Sequence, residues 1–148
     1  MITIYTDGAC IGNPGIGGYA AIIQNRTETL ISGGYKHTTN NRMELLAVIK
    51  SLEHIKEKSE ITVYSDAKYV VNAFQLGWVN SWQRTNFKNQ KILNVDLWKR
   101  LIELSNFHKV TFRWVRGHDG NPTNERCDKL AAKAARSVNL SIDFGYKK

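Results

Sequence analysis

Asn41 to Asp66 reads NRMELLAVIKSLEHIKEKSEITVYSD, and within it the spacing of apolar residues changes once. Leu45, Ile49, Leu52 and Ile55, joined by Val48, recur at the three- and four-residue intervals of a helix face, so a helix is expected from Asn41. Ile61 to Ser65 then reads as a strand that delivers Asp66. Upstream, Ile2 and Ile4 alternate with Thr3 and Tyr5 before Asp7, a first strand. A helix-length crossover joins parallel neighbours, so the strands before Asp7 and Asp66 are expected side by side in a βαβ-type arrangement.

Between them, Gly8 to Gly18 reads as a Gly-rich turn, Tyr19 to Gln24 as a second strand and Thr29 to Tyr35 as a third, an antiparallel meander. The segment GIGGYA, Gly15 to Ala20, formally fits GxGxxA, but that fingerprint needs a helix to open there, and the sequence continues as a strand. No GK[ST] occurs, which excludes a P-loop. Further on, Asp66–Leu76 and Val95–Ser105 read as helices and Lys109–Val115 as a last strand. Pro122 stands where a closing helix would begin, marked by Cys127, Leu130, Ala131 and Ala134. A single α/β domain over residues 1–148 is expected, with a basic protrusion around 77–100 and a weakly patterned tail from about 139.

Lys and Arg number 21 against 13 Asp and Glu, a net charge of +8 and a pI near 9.6. Such a surface attracts polyanions such as nucleic acid, although solubility alone would also account for it. Cys10 and Cys127 are too few for a disulfide framework or a CxxC site, and free thiols are expected. The start, MITIYTDG, has no signal-peptide pattern, and no run of 18 apolar residues occurs, so a cytoplasmic protein away from membranes is expected.

Asp7 and Asp66 both close apolar strands, and parallel neighbours would set the two carboxylates together at the edge where open α/β sheets bind ligands. Like charges that close repel, and a divalent metal is the usual remedy. Glu44, read as lying in the first helical turn, suits either a helix-dipole role or a ligand role. Asp128 borders the apolar stripe of the closing helix and fits equally a site residue or a solvated partner of Arg126 or Lys129.

Taken together, TDGACIGNPGIGGYAAI, TTNNRMELLA, YSDAKYVV, NVDLW and WVRGHDGNPTNERCDKLA resemble, in order and spacing, the bacterial type 1 enzymes of the cellular ribonuclease H family. The resemblance covers nearly the whole chain. It implies a five-stranded mixed sheet with its first three strands antiparallel, flanked by helices. It also implies cleavage of the RNA strand of RNA/DNA hybrids, leaving 5′-phosphate and 3′-hydroxyl ends. The metal ligands implied are Asp7, Glu44, Asp66 and Asp128, holding Mg²⁺, with Mn²⁺ as a substitute. Two such ions about 3.5 to 4 Å apart would clamp the attacking and leaving oxygens. His118 falls where the family places a mobile histidine that assists proton transfer or product release. His37, His54 and His108 match no motif and are read as surface residues.

The same resemblance implies a handle that grips the DNA strand, with Trp78, Trp82, Arg84, Lys88 and Lys91 toward substrate; the tryptophans could instead be core, and Trp98, in the NVDLW helix, is read as core. Phe87 stands where the bacterial relatives commonly carry Trp. Cys10, Asn13, Thr39, Asn40 and Asn41 are implied on the hybrid side of the catalytic edge, where amides reach 2′-hydroxyls. Lys68 replaces the Gln of those relatives and adds a charge beside Asp66. Because Cys10 and Cys127 flank the acidic residues, a thiol-blocking reagent is expected to inhibit. A monomer of low processivity with no obligate protein partner is expected. The alternatives are a non-catalytic hybrid-binding module, whose mark would be a lost carboxylate, and another metal-dependent nuclease of the same fold, which would usually lack the handle and the loop GHDGNPTNERCD from Gly117 to Asp128.

Overall fold

The computed structural model describes residues 1–88, 91–117 and 120–146. β1 (Ile2–Ile11), β2 (Gly15–Asn25) and β3 (Thr27–Thr38) form an antiparallel meander, and α1 (Asn40–His54) then crosses to β4 (Glu60–Ser65). α2 (Lys68–Gln75), α3 (Trp78–Arg84), α4 (Val95–Phe107), β5 (Lys109–Trp114), α5 (Pro122–Ala135) and β6 (Leu140–Ser141) follow. The sheet runs β5-β4-β1-β2-β3-β6, with β1, β4 and β5 mutually parallel. The βαβ arrangement is therefore present as expected. Among the described residues the sheet has six strands rather than five, because Gly34 and Tyr35 of β3 pair in parallel with Leu140 and Ser141 of the tail. A two-residue strand shows no period, which is why the tail reads as loop.

The glycine stretch is mostly strand. β1 continues to Ile11 and β2 opens at Gly15, so that only Gly12, Asn13 and Pro14 make the turn. In β2 the missing side chains make room for a helix: a Cβ on Gly18 would lie 2.3 Å from the Ala131 carbonyl oxygen of α5. Glycines lack the apolar alternation that marks a strand, and this hid half of the hairpin.

Alternate residues of the sheet serve two layers. Ile4, Ala21 and Ile23 pack with Leu45, Val48 and Leu52 of α1 and with Trp98 and Leu101 of α4. On the other face Ala20 and Ile22 pack with Cys127 and Ala131 of α5, supported by Tyr5 and Ala9. Each fully buried Leu or Ile stabilises by about 1.5–3 kcal/mol, so these two layers fix where α1 and α5 lie. Trp98 is core, 3% exposed. His108, read as a surface residue, is 4% exposed: it caps the end of α4, its Nδ1 accepting the Ser59 amide at 3.1 Å. Nothing in its neighbours' types announces that burial.

Candidate active site

Pairing between β1 and β4 runs from Ile2 with Ile61 to Thr6 with Ser65, and there it stops. Asp7 still pairs with Ala20 of β2, so it lies within β1 and not at its end as the sequence reading has it. What ends beside Asp7 is β4, and Asp66, the residue after Ser65, stands at the same edge. Tyr5 and Ala9 face α5, so the two-residue alternation turns Asp7 to that side, toward Asp128 of α5, which helps to raise its pKa.

Glu44 arrives from the opposite layer. Thr39 is the N-cap of α1, its Oγ1 accepting the Arg42 amide at 3.3 Å, so the helix opens at Asn40 and Glu44 is its fifth residue. The first-turn placement and the capping role are thereby corrected: the polar pair Asn40–Asn41 carries no apolar period to show the earlier start. A Cβ on Gly8 would fall 2.5 Å from the Glu44 backbone nitrogen, so only glycine in β1 lets α1 come this close. Glu44 is consequently 4% exposed, with its carboxylate beside the sheet edge.

Carboxylate oxygens of Asp7, Glu44 and Asp66 all lie within 4.8 Å of one another. Gly8 donates its amide to Asp7 Oδ1 at 2.9 Å, while Glu44 Oε2 is buried without a hydrogen-bond partner among the described residues. Burial foremost, then the charge of Asp66 and the contact with Asp128, pushes the Asp7 carboxyl up from 3.8 to about 8. Burial, then the charges of Asp7 and Asp66, holds Glu44 well above its ordinary range. Converging carboxylates with an orphaned oxygen are costly alone and favourable around a cation that takes hard oxygen ligands. The donor set fits a divalent ion of the Mg²⁺ kind. Asp128 touches Asp7 but does not join the three converging residues.

The remaining sequence-predicted residues divide. Asn13 accepts the Asn40 amide through Oδ1 at 3.0 Å, and Asn13, Thr39 and Asn41 line an open cleft of about 470 Å³ beside the start of α1. Cys10 is half-buried, whereas Cys127 is fully buried against the Ala20 and Tyr5 carbonyls, so only Cys10 is open to a thiol reagent. Burial pushes both thiols up, which leaves neither activated. Lys68 is exposed at the start of α2 with its ammonium 4.5 Å from the centroid of the Trp114 ring. His118 lies outside the described residues.

In the protrusion, α3 was not foreseen as a helix. Trp78 is 40% exposed, and Arg84, Lys88 and Lys91 are exposed. Trp82 instead packs edge-on against Trp98 with centroids 4.9 Å apart, and Phe87 packs on Trp82 at 6.3 Å. Trp82 thus anchors this segment to the core through Trp98.

Sequence reasoning missed Arg42, although it sits in the motif beside Glu44. It is 2% exposed and bonds Asp96 and Asp143, each at 2.7 Å, while Thr38 donates its hydroxyl to the same Asp143 at 2.6 Å. An arginine flanked by Asn and Met gives no hint of burial when its partners lie 54 and 101 residues away.

The family model described as RNase H matches residues 1–136. The chain is 52% identical over 150 residues to a ribonuclease H of Trichodesmium erythraeum strain IMS101, across 99% of this chain and 96% of that one. It is 51% identical over 152 residues to one of Syntrophus aciditrophicus strain SB, across 99% and 87%. Of solved structures, LC9-RNase H1, a type 1 RNase H with the type 2 active-site motif, superposes with a TM-score of 0.83 at 29% identity, across 95% of this chain and 74% of that one. LC11-RNase H1 in complex with RNA/DNA hybrid shares the fold, with a TM-score of 0.70 at 22% identity across 92% and 97%.

Proposed function

Because the chain belongs to the RNase H family, we infer that it is an endonuclease that hydrolyses the RNA strand of RNA/DNA hybrids in a divalent-metal-dependent reaction, leaving 5′-phosphate and 3′-hydroxyl ends. The observation that carries this is the convergence of Asp7, Glu44 and Asp66, with Glu44 Oε2 left without a partner among the described residues. Those three would hold Mg²⁺, for which Mn²⁺ could substitute, with Asp128 beside Asp7 supporting a second ion in the presence of substrate. A bound divalent ion supplies Lewis-acid stabilisation of the charge that develops on phosphoryl oxygens.

The chain's own residues do the rest. The sheet edge fixes the carboxylates before substrate arrives, and Gly8 sets the distance between Glu44 and Asp7. Asn13, Thr39 and Asn41, around one cleft, offer amides and a hydroxyl suited to sugar and phosphate oxygens, and the 2′-hydroxyl is what separates RNA from DNA. Asn40, whose amide bonds Asn13; Cys10, whose thiol donates to the Thr38 carbonyl; and Lys68, two residues after Asp66, are assigned to substrate contact as well. Trp78, Arg84, Lys88 and Lys91 on the protrusion suit phosphate and sugar contacts along the other strand. His118, by its place in the motif, is assigned to proton transfer or product release. A monomer is proposed, and no described helix is long and apolar enough to cross a membrane.

The test is cleavage of end-labelled hybrid, RNA duplex and DNA duplex with Mg²⁺, Mn²⁺ or chelator, by this protein and its Asp7→Asn variant. Cutting of the hybrid's RNA strand alone, lost with chelator and with the substitution, is the expected result. Tight hybrid binding without any cutting would make the chain a binding module.

A further inference from the structure

One indole holds two different groups at the flank of the carboxylate cluster. Trp114 ends β5 and is 40% exposed. Its Nε1 donates to the backbone carbonyl of Asp66 at 3.2 Å, and its ring face carries the Lys68 ammonium at 4.5 Å. Asp66 lies on the turn that joins β4 to α2, and Lys68, two residues on, opens α2. The neighbouring backbone is pinned as well: the Val115 amide donates to the Ser65 carbonyl at 3.0 Å, and a Cβ on Gly117 would lie 2.9 Å from Asp66 Oδ2.

A free lysine side chain has large rotamer freedom, and holding its charge in one place for a ligand costs entropy. An aromatic face within about 6 Å offsets that cost and leaves the outward N–H groups unspent. Lys68 is an exposed residue, and it follows by two positions Asp66 of a cluster that would bring a phosphodiester to its carboxylates. A cation held on the ring that also bonds Asp66 is placed for a backbone phosphate flanking the one at the cluster.

We propose that Trp114 is a positioning residue that presets Lys68 as a phosphate-binding cation beside the carboxylate cluster, so that Lys68 engages a backbone phosphate of the hybrid. This rests on the hybrid-cleaving reading of the site. The ring carries the Lys68 role, and the indole N–H carries a separate one, the hold on Asp66.

Hybrid cleavage is measured at fixed Mg²⁺ over a series of KCl concentrations for the unaltered protein, Lys68→Gln, Lys68→Arg, Trp114→Leu, Trp114→Phe and the Lys68→Gln/Trp114→Leu pair. If the unaltered protein does not cut hybrid, the functional reading fails before this proposal is reached. If it cuts, Lys68→Gln is expected to raise KM roughly three- to tenfold with the change carried by KM and not by kcat, as for loss of one charged contact. The slope of log(1/KM) against log[KCl] is expected to become shallower by about 0.7–0.9, one phosphate contact. Lys68→Arg restores both readouts. Trp114→Leu reproduces much of the slope change although Lys68 is present, and the slope of the pair is no shallower than that of Lys68→Gln alone, while any loss of kcat in Trp114→Leu reports the separate hold of the indole N–H on Asp66. Trp114→Phe keeps the ring and keeps the slope, which preserves the test if the leucine variant folds poorly. An unchanged slope in Lys68→Gln overturns the phosphate contact. Additive slope changes in the pair, or a slope lost in Trp114→Phe, overturn the positioning by the ring.

Discussion

Asp7 is a carboxyl whose folded environment favours its neutral form, and two consequences follow at that residue. In metal-free protein its value of about 8 stands above the ordinary 3.8 expected when the chain is unfolded. The folded state then binds more protons than the unfolded one between those values, so stability falls as pH rises from about 4 to about 8. Asp7→Asn should flatten that fall and raise the stability of metal-free protein at pH 8 by about 1–3 kcal/mol, the scale of an uncompensated buried polar group. The same substitution should abolish cleavage, and thermal melts in chelator at pH 5 and pH 8 check the stability half. Gly8 makes the complementary case. Gly8→Ala places a methyl 2.5 Å from the Glu44 nitrogen, and forcing the strand and helix apart should cost about 1–3 kcal/mol. Cleavage should fall with it even after folding is restored by low temperature, because the Glu44 carboxylate moves away from Asp7.

The elements were unequally legible, and the cause differs for each. α1, β4 and α5 carry long apolar periods, so their existence and the parallel pairing of β1 with β4 could be read directly. α3 could not, because only Val79 of its seven residues is buried and a helix without an apolar face has no period. Its attachment through Trp82 predicts a separation of effects. Trp82→Ala should destabilise by about 2–4 kcal/mol by emptying the space against Trp98. Trp78→Ala, at a site 40% exposed, should change stability by no more than about 0.5 kcal/mol while weakening hybrid binding. Denaturant melts beside hybrid-binding titrations distinguish the two. The tail was illegible because its hold on the fold is a two-residue strand pairing and an ion pair, neither of which leaves a period. Arg42→Ala removes the partner of a nearly buried Asp143 and should cost about 3–5 kcal/mol, with the segment from Leu140 to Tyr146 losing protection first in amide exchange.

Over the whole molecule, the order of the motifs made the carboxylate set readable, while their geometry was not in any local pattern. Where β4 stops against β1 decides that Asp7 and Asp66 meet, and no spacing within either strand reports it. Glu44's path past Gly8 and Asp128's contact from α5 likewise belong to layers, not to segments. The converging carboxylates come from β1, α1 and the turn after β4, with Asp128 adding a fourth element from far along the chain. Like charges brought together from four elements oppose their own assembly, so this corner is the one expected to close last as the chain folds. Contacts formed after the rate-limiting barrier affect escape from the native state and leave the approach to it alone. Added Mg²⁺ should therefore leave the refolding limb of a denaturant chevron nearly unmoved and slow the unfolding limb, lengthening the lifetime of the native state. A refolding rate that rose with Mg²⁺ instead would mean that the cluster gathers early, as a nucleus and not as a final clasp.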